Sequence, residues 1–112
     1  MRIDILCLFP ETFASPLNQS IIKRAREQGL VNIAVHDVRD YTHDKHHTAD
    51  DYPYGGGPGM VLKPEPVFEA VEAIKKQLGV SEVPVILLTP QGRLFSQSVA
   101  QELALHPHLM LI

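Results

Sequence analysis

The chain has 112 residues, a hydrophobic fraction of 45% and a charged fraction of 21%, which are typical of one globular domain with its own core. A single cysteine, Cys7, excludes an intramolecular disulfide framework and suits a reducing compartment. No apolar run approaches the length that spans a bilayer, so the sequence predicts a cytoplasmic protein with no membrane partner. The net charge of −3 excludes a uniformly basic surface but allows a local basic patch.

The first predicted elements are a strand, a helix and a second strand. Residues 3–9 form a nearly continuous apolar run, which is typical of a strand buried on both faces. Ser15 and Pro16 mark a helix start, and the helix is predicted to extend to Gln28. The apolar side chains that this helix would place on one face are Leu17, Ile21 and Ala25. Residues 30–38 alternate loosely and predict the second strand.

Residues 39–60 show neither a helical nor a strand period. A loop of this length inside a compact domain is usually functional. Regular structure is predicted again from Pro64, where a helix begins that carries lysines in its last turn. Gly79 follows that turn and predicts the end of the helix.

The last part of the chain predicts two strands separated by a helix. Residues 83–88 form a second buried-strand pattern, Ser96 caps a helix through about Leu105, and residues 109–112 open a further apolar strand. This order predicts an α/β fold with a largely parallel sheet and flanking helices. Because the chain ends within an apolar strand, without a polar tail, we expect it to be a piece of a longer protein.

Basic side chains gather on the first predicted helix at Lys23, Arg24 and Arg26. Three charges on one helix most often form a solvated face. Contacts to the phosphates of a nucleic acid are the alternative.

The densest motif is the segment 50–60, in which four of the seven glycines fall at positions 55–59. Glycine permits a positive φ and lets backbone groups approach a ligand closely. The tyrosines and prolines that flank the glycines favour a shaped, ligand-contacting loop over a flexible linker. The spacing excludes a phosphate-binding P-loop, because Met60-Val61-Leu62-Lys63-Pro64 follows instead of Lys-Ser/Thr, and it excludes the dinucleotide fingerprint as well.

A second cluster, His43, Asp44, His46 and His47, contains side chains that bind divalent metals. Lys45 lies among them and would repel a cation. Contacts to an RNA backbone or a solvated loop are therefore favoured over a metal site.

The turn at 87–92 follows the end of a predicted parallel strand, where open α/β sheets bind their ligands. Thr89 offers a hydroxyl and Gln91 an amide, both able to bind a base or a ribose. On this segment alone, an ordinary strand-to-helix turn is the simpler interpretation.

Taken together, these segments resemble the bacterial tRNA (guanine-N1)-methyltransferase family, TrmD. The matching strings are Ile3–Leu6 with Leu8–Phe13, Arg39–Asp44, Asp50–Met60 and Pro90–Arg93. The resemblance implies a SPOUT-class α/β fold whose trefoil knot is incomplete in this chain, and a homodimer. It also implies transfer of a methyl group from S-adenosylmethionine to N1 of the guanine at position 37 of tRNA.

The family resemblance also implies site residues. Those expected to contact the cofactor are Leu87, Leu88, Thr89, Pro90 and Gln91. It also implies that Pro58 and Gly59 contact the guanine of the tRNA. From the residues themselves, we expect further tRNA contacts from Tyr54 and Gly57 of the same loop and from the basic side chains Lys23 and Arg24. Family members often carry Tyr-Leu-Ser at positions 87–89, so this chain lacks an aromatic side chain there.

No catalytic residue and no metal ligand is expected within this chain. The resemblance places the carboxylate base of the family beyond Ile112 and makes residues 1–112 the amino-terminal part of the methyltransferase domain, with the carboxy-terminal domain absent. It leaves a Mg²⁺ requirement of the longer enzyme open.

Two alternative functions remain open from the sequence. One is a non-catalytic RNA- or nucleotide-binding module that uses Lys23, Arg24, His46 and the glycine loop. The other is a metal-dependent hydrolase built on the cluster at 43–47. Asp50 and Asp51 are adjacent, so we expect them to brace the glycine loop instead of acting together on a substrate.

Overall fold

A computed structural model describes residues 1–112 of the chain. The strands, in chain order, are β1 (Arg2–Cys7), β2 (Asn32–Asp37), β3 (Asp50–Asp51), β4 (Val61–Leu62), β5 (Val85–Ile86) and β6 (His108–Leu111). The helices are α1 (Ser20–Glu27), α2 (Pro64–Leu78) and α3 (Gln97–Leu103), and short 3-10 turns cover Pro10–Phe13, Pro16–Asn18 and Val38–Tyr41. None of the helices is long and apolar enough to span a bilayer.

Four strands form one parallel sheet in the order β2-β1-β6-β5. In β1, Ile3 lies opposite Ile33 of β2 on one side and Leu109 of β6 on the other. Each crossover between neighbouring strands contains a helix or helical turn, as parallel pairing requires. The predicted α/β fold with a largely parallel sheet and flanking helices is confirmed.

The core lies between one face of the sheet and α2. Pro64 opens this helix, and Gly79 ends it in the left-handed conformation (φ 67°), where glycine carries no steric cost. The buried apolar residues are Leu6, Val38, Ala49, Ala70, Val71, Ile74, Val83 and Met110. Ile74 is 1% exposed, and burial of such a side chain contributes about 2 kcal/mol of hydrophobic free energy.

The helix predicted to run from Pro16 to Gln28 is wrong in its first half. Pro16–Asn18 forms a single 3-10 turn, Gln19 is extended, and α1 begins at Ser20. The turn is closed by Asn18, whose amide donates to the Ala14 carbonyl at 2.8 Å. The predicted apolar face is only partly covered: Leu17 and Ala25 are half-buried, whereas Ile21 is 76% exposed.

Two apolar runs, residues 3–9 and 83–88, predict fully buried strands, and both differ from that prediction in the structure. β1 ends at Cys7, where its pairing with Asp37 of β2 ends, so Phe9 leaves the sheet. β5 is an edge strand, and Val85 is 41% exposed because no strand covers that side. Hydrophobicity alone does not distinguish an edge strand from a central one.

The segment 39–60 contains more regular structure than its sequence indicates. It includes part of a 3-10 turn, and the strands β3 and β4 form an antiparallel hairpin around the glycine-rich segment. Each of these strands has only two residues, too few to show a period of two.

Candidate functional site

The glycine-rich segment is the loop of a hairpin that is fixed at its base. Asp50 pairs with Leu62 and Asp51 with Val61. Below them, the carbonyl of buried Ala49 accepts a hydrogen bond from the Lys63 N–H at 2.9 Å. The core therefore holds the hairpin while residues 52–60 project from it.

The expected bracing role of the aspartates is seen at Asp51. Its Oδ1 accepts a hydrogen bond from the Tyr52 N–H at 2.8 Å, at the first residue of the loop. Asp50 is half-buried and lies in the short strand β3. The Asp51 carboxylate therefore braces the start of the loop.

The tip of this loop presents backbone groups that have no partner in the protein. Gly57 and Gly59 have φ values of 115° and 90°, which L side chains rarely adopt. Neither N–H donates a hydrogen bond within the chain. A Cβ atom added at either glycine would meet nothing within 4 Å, so the glycines serve the backbone conformation and leave space beside it. Tyr54 is fully exposed, and Pro58 is exposed between the two glycines.

A cavity of about 610 Å³ lies between the hairpin and α2. Tyr52 and Tyr54 line it from the hairpin, and Glu69 lines it from α2. His43 Nε2 lies 2.6 Å from Glu69 Oε2 and joins the preceding loop to the helix. The cavity offers aromatic faces and carboxylate acceptors, which are groups that suit a nucleobase with N–H donors.

The histidine cluster does not converge on one point. Asp44 accepts hydrogen bonds from the backbone and hydroxyl of Thr48, and these bonds lower the pKa of its carboxyl. His47 Nδ1 lies 3.1 Å from the Thr42 hydroxyl. The structure contains no group of three or more side chains that could hold a metal ion. The hydrolase alternative therefore has no geometric support.

The segment 87–92 forms an exposed turn after β5. The Leu88 N–H donates to the Ile112 carbonyl at 2.8 Å, and the Gly92 N–H closes the turn onto the Thr89 carbonyl at 3.1 Å. Leu87 and Leu88 are 62% and 71% exposed. Thr89, Pro90 and Gln91 are also exposed.

This turn fits one side of a binding site for an adenosine cofactor. Exposed leucine surface can cover a flat base, and the Thr89 hydroxyl and Gln91 amide can bind polar atoms. The Gln91 side chain has no partner in the chain. The turn alone does not enclose a ligand.

The two predicted ligand-contacting segments are not brought together. The hairpin follows β2 and the 87–92 turn follows β5, and these strands are the opposite edges of the four-stranded sheet. The cavity beside the hairpin contains Tyr54 but none of residues 87–91.

The basic side chains of α1 differ in whether they form ion pairs or hydrogen bonds within the chain. Lys23 lies 3.8 Å from Glu27, and Arg26 donates to the Leu17 carbonyl and the Asn18 side chain. Arg24 forms no ion pair. Arg24 is therefore the cation of this helix that is most available to a phosphate.

The sequence analysis missed a buried polar network on β1. The Asp4 carboxylate is completely buried and accepts hydrogen bonds from Arg2, from His36 of β2 and from His108 of β6. Burial of Asp4 raises its pKa, but the hydrogen bonds from Arg2 and the two histidines outweigh it and lower the pKa to about 2. A polar residue within an apolar strand, together with a histidine in the second predicted strand and another just before the last one, is the signal that could have revealed it.

Cys7 has no sign of reactivity. It is half-buried, its Sγ lies 3.7 Å from the His36 carbonyl, and burial raises the pKa of its thiol. A raised pKa disfavours the thiolate, which is the nucleophilic form. The thiol is therefore a packing group.

Comparison with known protein families gives one match over the whole chain. A family model described as tRNA (Guanine-1)-methyltransferase TrmD matches residues 1–112. The resemblance seen in the sequence motifs is therefore confirmed by an independent comparison.

Individual relatives agree with this match. A tRNA (guanine-N(1)-)-methyltransferase of Dehalococcoides mccartyi is 59% identical over 112 residues, which are 100% of this chain and 45% of the relative. One from Dictyoglomus turgidum is 54% identical over 100% of this chain and 44% of its own length. The chain spans about half the length of the curated relatives it matches.

A solved structure shows the same architecture. The crystal structure of a tRNA (m1G37) methyltransferase from Aquifex aeolicus superposes with a TM-score of 0.88 and 33% sequence identity, and the match covers 100% of this chain and 50% of that one. The fold is thus that of the amino-terminal part of a SPOUT methyltransferase.

Proposed function

The chain belongs to the tRNA (guanine-1)-methyltransferase family TrmD, and we propose that it forms the amino-terminal part of an enzyme that methylates N1 of the guanine at position 37 of tRNA. In this proposal residues 1–112 belong to the methyltransferase domain. A carboxy-terminal part, as long again as this chain in the relatives, completes the enzyme.

The observation that carries the proposal is the free backbone of the hairpin tip. The N–H groups of Gly57 and Gly59 are exposed and unpaired, and the loop is held in position at its base. An enzyme that modifies a base inside an RNA loop must bind the base edge after it leaves the stack. Backbone groups at a tip without side chains can approach such an edge closely. Tyr54, Gly57, Pro58 and Gly59 form this contact.

The cofactor of the reaction is S-adenosylmethionine, which supplies an electrophilic methyl group on a sulfonium centre. Leu87 and Leu88 would cover its adenosine, and Thr89, Pro90 and Gln91 would form one side of its site through the hydroxyl, the ring and the amide. Lys23 and Arg24 contribute long-range attraction for the phosphates of the tRNA.

The proton of guanine N1 requires a base, and two aspartates near the hairpin are engaged in structural hydrogen bonds. Asp44 is bonded to Thr48, and Asp51 to the loop backbone. Asp44 also has a lowered pKa, which makes its carboxylate a weak base. The base is proposed to lie in the carboxy-terminal part.

Family resemblance alone supports the remaining proposals. The full-length enzyme works in the cytoplasm as a homodimer, and its trefoil knot is completed by residues beyond this chain. Mg²⁺ is a candidate activator of the full-length enzyme, and loss of activity on chelation would test that role.

The proposal is tested by methyl transfer to tRNA with the full-length protein and two matched glycine variants. Gly29 and Gly59 both have positive φ values and both face open space. Gly59→Ala and Gly29→Ala should therefore have similar costs in stability, about 1 kcal/mol. Only Gly59→Ala should reduce methylation.

The substrate controls separate the alternatives. Wild-type protein should methylate tRNA with guanine at position 37 and leave tRNA with adenine there unmodified. Binding of tRNA without any methyl transfer would support the non-catalytic RNA-binding module instead. Equal activity of the two glycine variants would contradict the role of the hairpin tip.

A further inference from the structure

Phe9 and Arg39 contact each other, and neither is among the residues of the proposed site. The Arg39 guanidinium lies over the Phe9 ring, 5.1 Å from its centroid, a separation typical of a cation–π pair. The other side of the ring is open, since Phe9 is 66% exposed.

Exposure alone does not distinguish Phe9. Phe68 and Phe95 are 69% and 71% exposed, and single exposed apolar residues are normal. Phe9 is the aromatic residue with a cation on its ring. This difference selects Phe9 and provides matched controls at the other two positions.

Arg39 is held in place while its charge stays unneutralised. Its backbone N–H donates to Asp37 Oδ1 at 2.9 Å, and its guanidinium donates to the Leu8 carbonyl. The other guanidinium N–H groups have no acceptor, and Arg39 forms no ion pair. A fixed guanidinium with free donors is suited to a phosphate.

The pair lies where this fold binds ligands. Phe9 follows the carboxyl end of β1 and Arg39 that of β2, and the two strands are neighbours whose last paired residues are Cys7 and Asp37. The Arg39 carbonyl accepts a hydrogen bond from Thr42, which lines the cavity beside the hairpin. One hydrogen bond therefore joins Arg39 to a residue of the cavity wall.

We propose that Phe9 and Arg39 bind one nucleotide of the RNA substrate, with its base stacked on the open face of Phe9 and its phosphate on Arg39. This inference rests on the proposed tRNA substrate and adds a contact outside the hairpin and the basic helix. A base has a π-face to stack on an aromatic ring, so the contact tolerates any base.

The test uses the full-length enzyme and compares Phe9→Leu with Phe68→Leu in steady-state methylation. Loss of one stacked base should raise the KM for tRNA at least about five-fold, with kcat unchanged, because a stacked neighbouring nucleotide contributes to binding and takes no part in the methyl transfer. Phe68→Leu should leave both constants unchanged. Phe9→Tyr keeps a ring and should restore the wild-type KM.

Arg39→Gln gives a second readout that a structural role would not change. The slope of log Kd for tRNA against log salt should fall by about one unit, the amount expected for the loss of one phosphate contact. Phe9→Leu should leave that slope unchanged. Ultraviolet crosslinking of the wild-type complex, mapped by mass spectrometry, should attach a nucleotide to the peptide that contains Phe9, whether or not the variants fold.

The outcomes separate this inference from the proposed function. A wild-type enzyme that does not methylate tRNA contradicts the proposed function. If the wild-type enzyme is active but Phe9→Leu and Phe68→Leu have the same KM for tRNA, the inference is overturned. Crosslinks found only outside the peptide that contains Phe9 also overturn it. A Phe9→Leu variant that changes the oligomeric state also overturns it, because the face would then be an interface between copies of the chain.

Discussion

Asp4 and His108 are 104 positions apart in the sequence, yet Asp4 Oδ2 lies 2.7 Å from His108 Nε2. His36 reaches the other carboxylate oxygen at the same distance of 2.7 Å, and Arg2 donates to both oxygens. One buried carboxylate therefore links the three neighbouring strands β2, β1 and β6. No atom of the carboxylate lacks a partner, which is the condition for a buried charge to be tolerated.

We expect Asp4→Asn to destabilise the fold by about 3 kcal/mol. The amide would leave Arg2 without its counter-ion and would place an N–H₂ donor opposite groups that are themselves donors. Urea unfolding followed by circular dichroism measures the change in free energy. Asp40→Asn, at an exposed position, is the control and should change stability by less than about 0.5 kcal/mol. Equal effects of the two substitutions would show that the network contributes nothing.

The same carboxylate predicts a pH dependence of stability. The pKa of Asp4 is about 2 in the folded chain, against 3.8 for an unperturbed aspartate. Because the folded pKa is the lower one, the stabilisation is fully present above about pH 4 and is lost as the pH falls towards 2. The difference corresponds to about 2 kcal/mol.

Unfolding free energies measured between pH 2 and pH 5 test this dependence. The wild-type curve should fall more steeply with acid than that of Asp4→Asn, and the two should converge near pH 2. Parallel curves across this range would mean that Asp4 has an ordinary pKa in the folded chain.

Much of the fold was predictable because it depends on local signals. Pro64 and Gly79 mark the two ends of α2 within one segment of sequence, and the helix has those bounds. The parallel sheet follows from alternating strands and helices, so it too was predictable. The capped start of α3 at Ser96 likewise depends on a bond within one turn.

The remainder depends on side-chain contacts and strand pairings that the pattern of residue types does not show. The first helix starts four residues later than its Ser-Pro signal indicates, because the Asn18 side chain closes a separate turn. Asp4 looks like a polar interruption of a strand until His36 and His108 are adjacent to it. The hairpin at 50–62 depends on a pairing of two-residue strands, which no periodicity reveals.

The candidate site also has a part that was predictable from the sequence and a part that was not. The glycine segment was recognised from its composition, and a glycine-rich composition favours an exposed loop. The pair formed by Phe9 and Arg39 was not recognised, since Phe9 lies within an apolar run that predicts burial. Whether a residue at the end of a strand stays in the sheet depends on where its neighbouring strand ends, and here β2 ends at Asp37.

The charges of α1 predict different salt dependences for two neighbouring residues. In the full-length protein, Arg24→Gln should lower the slope of log Kd for tRNA against log salt by about one unit. Lys23→Gln should lower it less, because Glu27 lies 3.8 Å from the Lys23 ammonium. Filter binding or fluorescence anisotropy at several salt concentrations measures the slopes.

Glu27→Gln is the matched control, since it frees Lys23 and should strengthen tRNA binding at low salt. Methylation at saturating tRNA should stay unchanged in all three variants. Slopes equal to that of the wild type would leave these residues as ordinary surface charges.

A polypeptide of residues 1–112 alone should bind S-adenosylmethionine weakly and should not methylate tRNA. Ligand pockets bury most of a small ligand's surface, whereas the 87–92 turn is open and follows an edge strand. The family resemblance places the base outside residues 1–112, and general acid–base catalysis contributes about 10²–10⁴-fold in rate. Calorimetry and a methyl-transfer assay, with the full-length enzyme as the positive control, measure both quantities. Micromolar binding with measurable turnover would contradict the prediction and would place the catalytic carboxylate among Asp44, Asp50 and Asp51.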